Sequence, residues 1–338
     1  MKKEQPIILH RGFDDFDELC EAIAAWNLEL CKLDSTPFRG ELFQYAEEGF
    51  LFSRANFSCH LKQTGGPPRG LRTFALLAAP TQRLVWRRHH VTAEDLLIFP
   101  RGGELHSING PGCDILTLAV DEALLLRTAQ RLGFQGLEKT IDQHEVLRVN
   151  SLQMNRLRAS LLQVCSERSV NKTEILTHLL NAIVSAVPET QLHDPTRLRL
   201  NTIQKAENYI FAHAEKPPTV MDLCRETEVS KRTLEYAFHE HFGVNPKAYI
   251  NAIRLNSVHK QLRVAEPESL HVVDAANRLG FWHMGQFAAD YRKIFGENPS
   301  ITLGCIAVYP DPANCPASGL GVASDTPLCF ACEGERVR

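Results

Sequence analysis

A chain of 338 residues, 44% hydrophobic and 23% charged, has material for two cores and the make-up of an ordinary soluble globular protein. Its formal net charge of −3 excludes a partnership with nucleic acid founded on overall attraction, so any such role must rest on local patches. With no signal-peptide pattern at its start and no apolar run of about 18 residues, the expected location is the cytoplasm, with no membrane partner. Ten cysteines in such a chain read mostly as buried, reduced thiols rather than a disulfide framework.

In chain order, the three-to-four spacing of Phe16, Leu19, Cys20, Ile23, Trp26 and Leu30 predicts a helix over residues 13–30. The period then changes. Short apolar runs at 38–43, 50–53, 57–61, 74–77, 84–86, 96–99 and 115–120 are broken by Gly and Pro at 65–68, 100–103 and 110–112. This predicts an all-β barrel or sandwich whose mouth can take a ligand. Trp86, Arg87, Glu104, His106 and Arg54 are the candidate effector-pocket residues, because an amine or carboxylate needs a few polar groups against apolar walls.

The run from Asp95 to Gly102, followed by His106 and Asn109, is similar to the second motif of cupin barrels. That resemblance implies a cupin-like wall and, at its furthest, a metal-dependent enzyme with a helical appendix. Against a metal, the adjacent His89 and His90 would face opposite ways in a strand, leaving His60 and His106 to meet in space. No nucleophile-base-acid set and no phosphate loop is legible, so the chain is not read as an enzyme, and no resident cofactor or metal is expected.

Helical periodicity returns at 121–132 and 151–187. Leu152, Leu157, Leu161 and Val164 make one stripe, and Ile175, Leu179, Leu180, Ile183, Val184 and Val187 another. Such stripes cover a barrel or form a homodimer surface. The proline-bearing stretch 188–196 reads as a linker between a sensing and dimerisation domain, 1–187, and a helical domain, 197–304. Ile203, Ala206 and Ile210 give the inward face of the first helix of that second domain. The remainder, 305–338, reads as a disordered tail, in which Cys329 and Cys332 alone have ligand-like spacing.

The helical domain contains one pattern written twice. Phe238-x-x-x-Phe242-Gly243-x-Asn245-Pro246 returns 53 residues later as Tyr291-x-x-x-Phe295-Gly296-x-Asn298-Pro299. Each copy reads as a helix-turn-helix. Thr219 with Asp222 and then Ser230 cap the first pair, Gly243 and Gly296 end the second helices, and the small Cys224 and Ala276 allow close helix approach. With Leu234 and Phe238 inward, Lys231, Arg232, Glu235, Tyr236 and His239 face out; the second copy offers His283, Gly285, Gln286, Ala289 and Asp290.

Arg suits guanine and Gln suits adenine, while Gly and Ala allow close approach to a thymine methyl. Base reading is therefore assigned to Arg232, Glu235, Tyr236, His239, His283, Gly285, Gln286 and Ala289. Lys231, Lys247, Arg254 and Lys293 are the phosphate candidates. Between residues 196 and 303, 14 Lys and Arg stand against 12 Asp and Glu, so nonspecific affinity should be modest and salt-sensitive. A helix over 246–264, roughly 28 Å long at about 1.5 Å per residue, joins the copies. It suits two heads set about one DNA turn, roughly 34 Å, apart.

Arg254-Leu255, Leu262, Ala276, Gly280-Phe281, Phe287, Tyr291, Phe295-Gly296 and Pro299-Ser300 together resemble the signature of AraC-type transcriptional regulators. Within that family, 219–224, 230–234 and 280–288 most resemble the activators of ethanolamine-utilisation operons. The resemblance implies an activator that binds double-stranded operator DNA, meets RNA polymerase and senses a small molecule, with ethanolamine as the implied effector and cobalamin as the cofactor that the resemblance alone suggests. Glu228 departs from the pattern, where such proteins often have Gly.

Overall fold

The structure, a computed structural model, describes residues 6–304 apart from 24–25, 81–82, 88, 102–103, 189–195 and 267. Most of the expected linker and the cysteine-bearing tail therefore lie outside the described residues. In the N-terminal half, two antiparallel sheets stack as a sandwich. The larger orders its strands as β1 (Ile7–Phe13), β3 (Gly40–Glu47), β4 (Phe50–Phe57), β11 (Cys113–Asp121), β6 (Leu71–Leu77), β9 (Asp95–Ile98), β12 (Val146–Arg148) and β13 (Val187–Pro188). The smaller runs β2 (Leu28–Lys32), β5 (Leu61–Gly65), β10 (Leu105–Asn109), β7 (Leu84–Trp86) and β8 (His89–His90).

Strand alternation splits the large sheet between two cores. On β6, Phe74 and Leu76 face a cluster with Leu157, Leu161 and Leu179, while Ala75 and Leu77 face one containing Trp26 and Trp86. Leu96 and Ile98 against Leu97 repeat the division on β9. Burial on both faces is why these strands read as unbroken apolar runs. The outer face is covered by α2 (Glu122–Arg131), α3 (Leu137–Gln143), α4 (Ser151–Glu167) and α5 (Lys172–Val184). Most of the two helical stripes is thus spent on the sandwich; only Leu152, Val184 and Val187 of them are exposed.

The helix expected over 13–30 is a correction. Only α1 (Phe16–Ala22) forms, started by the Asp15 carboxylate, which accepts from Asp17 N–H at 2.7 Å. Asn27 takes a left-handed φ of 44°, and beyond it Leu28 and Leu30 point between the sheets as strand residues. Phe13 ends β1, a strand outside the predicted runs, whose own short apolar run at 7–9 leaves Ile7 and Ile8 exposed.

The C-terminal half is helical: α6 (Thr196–Ala212), α7 (Val220–Thr227), α8 (Lys231–Phe242), α9 (Pro246–Val264), α10 (Val272–Arg278), α11 (Met284–Phe295) and α12 (Pro299–Gly304). Its core holds Ile203, Ala206 and Ile210 with Leu234, Phe238, Phe242, Leu255, Phe287 and Tyr291. The same core continues into Leu33, Val85 and Ile108 of the sandwich. Register explains this. Cys31, Lys62, Ile108, Val85 and His90 are partners in one row across all five strands of the small sheet, on the face turned to these helices.

Polar contacts fasten that junction. Asn256 of α9 accepts from the Lys32 backbone N–H at 3.0 Å and donates to its carbonyl at 2.9 Å, doing for the edge strand what a neighbouring strand would do. The buried Lys32 ammonium donates to the Ile294 carbonyl in the last turn of α11, where the helix dipole favours a cation. His259 lies between the Asp17 carboxylate, 2.9 Å away, and the Tyr291 hydroxyl, 2.6 Å away, stacked on Phe295. Glu207 accepts from both Lys62 and the Tyr249 hydroxyl.

Candidate nucleic-acid interface

The first helix pair is α7 and α8. Asp222 N–H donates to Thr219 Oγ1 at 3.2 Å and Thr219 N–H to Asp222 Oδ2 at 2.9 Å, closing a capping box that fixes the start of α7. Between the helices Glu228 adopts a left-handed φ of 57°, the conformation that Gly280 takes at 76° in the second pair. The departure at Glu228 therefore leaves the turn intact, with a side chain held where glycine is at ease. Ser230 Oγ then accepts from Thr233 N–H at 3.1 Å and starts α8.

In the second pair, α10 and α11, the left-handed Gly296 stop repeats that of Gly243, but the caps do not repeat. His271 and His283 begin their helices with no side-chain cap hydrogen bond. Asp274 and Gln286 stand three residues after these caps, where Asp222 stands after Thr219, but neither closes a box with its histidine.

The apolar stripes point inward and the polar faces outward in both pairs. Lys231, Arg232, Glu235, Tyr236 and His239 on α8 are all exposed, as are His283, Gly285, Gln286 and Ala289 at the start of and along α11. Several of these side chains already have partners. Lys231 lies 3.8 Å from Glu235, the Arg199 guanidinium stands over the Tyr236 ring while pairing with Glu240, and Gln286 donates to Asp290 at 2.8 Å.

Lys247 and Lys293 are exposed. Arg254, also expected at phosphate, is half-buried: its Nε–H donates to the Leu279 carbonyl and its guanidinium lies 3.9 Å above the Phe281 ring. It braces α9 against the second turn.

Where α8 meets the small sheet, Arg83, His90, Tyr236, His239 and Glu240 line an open crevice of about 430 Å³. The Arg83 guanidinium donates to the His239 carbonyl at 3.2 Å. Beside this junction His241 is buried, and desolvation pushes its imidazole down to about 4. This junction was not visible in the sequence, although a row of alternate residues across β2, β5, β10 and β7 marks it once register is known.

The expected effector-pocket residues do not form one group. Trp86 is buried against Phe99. Near it Arg87 pairs with Glu145 and donates to the Glu104 carbonyl, and His106 stands 3.4 Å from the Glu104 carboxylate. Arg54 is elsewhere, on β4 of the large sheet, held by Asp114 at 2.6 Å.

The meeting of His60 with His106 is also corrected. His106 pairs with Thr64 and Asn109 with Leu61, so His60 lies beyond the opposite end of that strand pair, bound to Asp34 at 2.6 Å. Among the described residues no group of three or more His, Cys, Asp or Glu is placed to hold a metal. The Asp95 carboxylate is taken by His89, Thr92 and Arg148. No helix of the described residues is long and apolar enough to cross a membrane.

A family model described as a helix-turn-helix domain matches residues 223–303. The chain is 36% identical over 113 residues to a probable thc operon regulatory protein of Rhodococcus erythropolis, a match covering 33% of this chain and 34% of that protein. It is 39% identical over 102 residues to XylDLEGF operon transcriptional activator 1 of Pseudomonas putida, covering 30% and 31%. A solved structure of a probable AraC family transcriptional regulator from Rhodopseudomonas palustris is 36% identical, covering 31% of this chain and 95% of that one, with a TM-score of 0.29.

Residues 223–303 are a helix-turn-helix domain, similar over that stretch to the domains of operon regulators.

The matched segment contains α8, α9 and α11. It amounts to about a third of the length of the two curated relatives.

Proposed function

We propose that the chain is a one-component transcription regulator, an activator, whose sandwich half, residues 1–187, senses a small molecule and whose half from 197 to 304 reads operator DNA. Cytoplasmic location, a homodimer and contact with RNA polymerase belong to the same reading. The observation that carries it is the paired exposure of the α8 and α11 polar faces on helices whose apolar stripes are buried. The α9 spacer, 19 residues or roughly 28 Å, would set the heads about one turn of duplex apart.

The docked face of the small sheet supports a route from sensor to reader. A ligand that binds one arrangement of this junction better than another shifts the reading heads by that difference in affinity. Trp86, Arg87, Glu104 and His106 are the first residues to test for ligand contact, and the likeness to ethanolamine-operon activators makes small amines and cobalamins the first ligands.

The test is a gel shift with the full chain and DNA upstream of its own operon. A salt-dependent complex whose base preference relaxes in Arg232→Ala and Gln286→Ala supports the reading. An unchanged preference in both variants removes those residues from it.

A further inference from the structure

The two reading helices present different chemistry. α8 offers cations, donors and acceptors in Lys231, Arg232, Glu235, Tyr236 and His239. On α11, Phe287, Tyr291 and Ile294 are buried, and the face opposite them carries Gly285 and Ala289, one turn apart, and then Arg292 and Lys293. Nothing lies within 4 Å of a Cβ built on Gly285, so the backbone there is open to close approach. Gln286, the face's one amide, already donates to Asp290.

Immediately before the His283 cap stands Trp282, 73% exposed. An indole left in water at the entrance of a reading helix continues that helix's outward surface, and covering it is favourable wherever the surface docks. The major groove has one apolar feature, the C5-methyl group of thymine.

We infer that α11 selects its half-site by apolar contact, with Trp282, Gly285 and Ala289 fitted against thymine methyl groups. Arg292 and Lys293, on the same face further along the helix, meet phosphates. Hydrogen-bond readout falls mainly to α8. The inference rests on the regulator reading and adds which base feature the second head takes.

The probe is double-stranded DNA selected from a random pool by the full chain. The α8 half-site is identified as the part whose sequence relaxes in Arg232→Ala. In the other half-site, thymine is then replaced by deoxyuridine, which removes only the methyl group. Loss of about 3- to 4-fold in affinity per contacted methyl is expected, from the burial of one such group. Trp282→Ala should weaken binding and shrink this penalty, while Trp282→Phe keeps most of it.

Retention of selected DNA with no deoxyuridine effect in either half-site overturns apolar readout and leaves the regulator standing. An effect confined to the α8 half-site overturns it too, as does a Trp282→Ala chain that binds DNA normally but fails to activate, since a protein partner would then be covering the indole. Failure to select any duplex removes both readings. The deoxyuridine arm uses the unaltered chain, so misfolding of a variant cannot mask the outcome.

Discussion

Acidification should loosen the first reading head, and His241 sets the size of the effect. This residue ends the buried stripe of α8 beside the small sheet. Desolvation depresses its imidazole to about 4, with His90, Lys62 and Arg83 acting in the same direction and Glu207 opposing. In the unfolded chain a histidine titrates near 6.5, so between about 6.5 and 4 the unfolded state binds more protons than the folded one, and stability falls as pH falls.

At pH 5 the loss relative to pH 7.5 is about 2 kcal/mol, rising to about 3 kcal/mol once the pH is below both values. Urea unfolding at the two pH values, followed by circular dichroism, measures it. Because His90 is also depressed by burial, the decisive comparison is with His241→Gln, which has no proton to gain and should lose about 2 kcal/mol less on acidification. Equal losses in the two proteins would refute the assignment of this pH dependence to His241.

Other expectations follow from backbone and junction geometry. Glu228→Gly, relieving a left-handed φ of 57°, should stabilise the chain by about 1 kcal/mol in the same urea assay. Gly243→Ala should be more damaging than Gly296→Ala: both glycines have positive φ, but an added Cβ strikes His60 only at Gly243, so the midpoint shift should be clearly larger there. Asp17→Ala, which strips His259 of its carboxylate and leaves Arg263 with Glu21 alone, should cost about 1.5–3 kcal/mol of unfolding free energy. Arg232→Ala, on an exposed position, should leave stability unchanged while weakening DNA binding by about 1–3 kcal/mol in a titrated gel shift.

Much of the helical half was legible because its signals are local. Thr219, Ser230 and Asn245 cap helices within three residues, Gly243 and Gly296 stop them, and the Leu234–Phe238–Phe242 stripe needs only one helix period to be seen. The sandwich was legible as a class, since its apolar runs are short and punctuated, but not in its pairing. Register is a long-range property: nothing near Ile108 says that it will lie beside both Lys62 and Val85.

The same limit hid the docking of the small sheet on the reading half. Lys32, Asp17 and His259 look like surface residues until residues more than 200 positions apart are brought together. Arg254 shows the converse. A basic residue in a DNA-reading segment suggests phosphate, whereas its side chain closes the space over Phe281.

Hydroxyl-radical footprinting of the full chain on its selected duplex bears most directly on the twin-head account. Two protected tracts on one face of the helix, about 10 base pairs between centres, are expected for each chain bound. One continuous tract no longer than a single head can cover, unchanged when α11 is altered at Trp282 and Gly285, would contradict it.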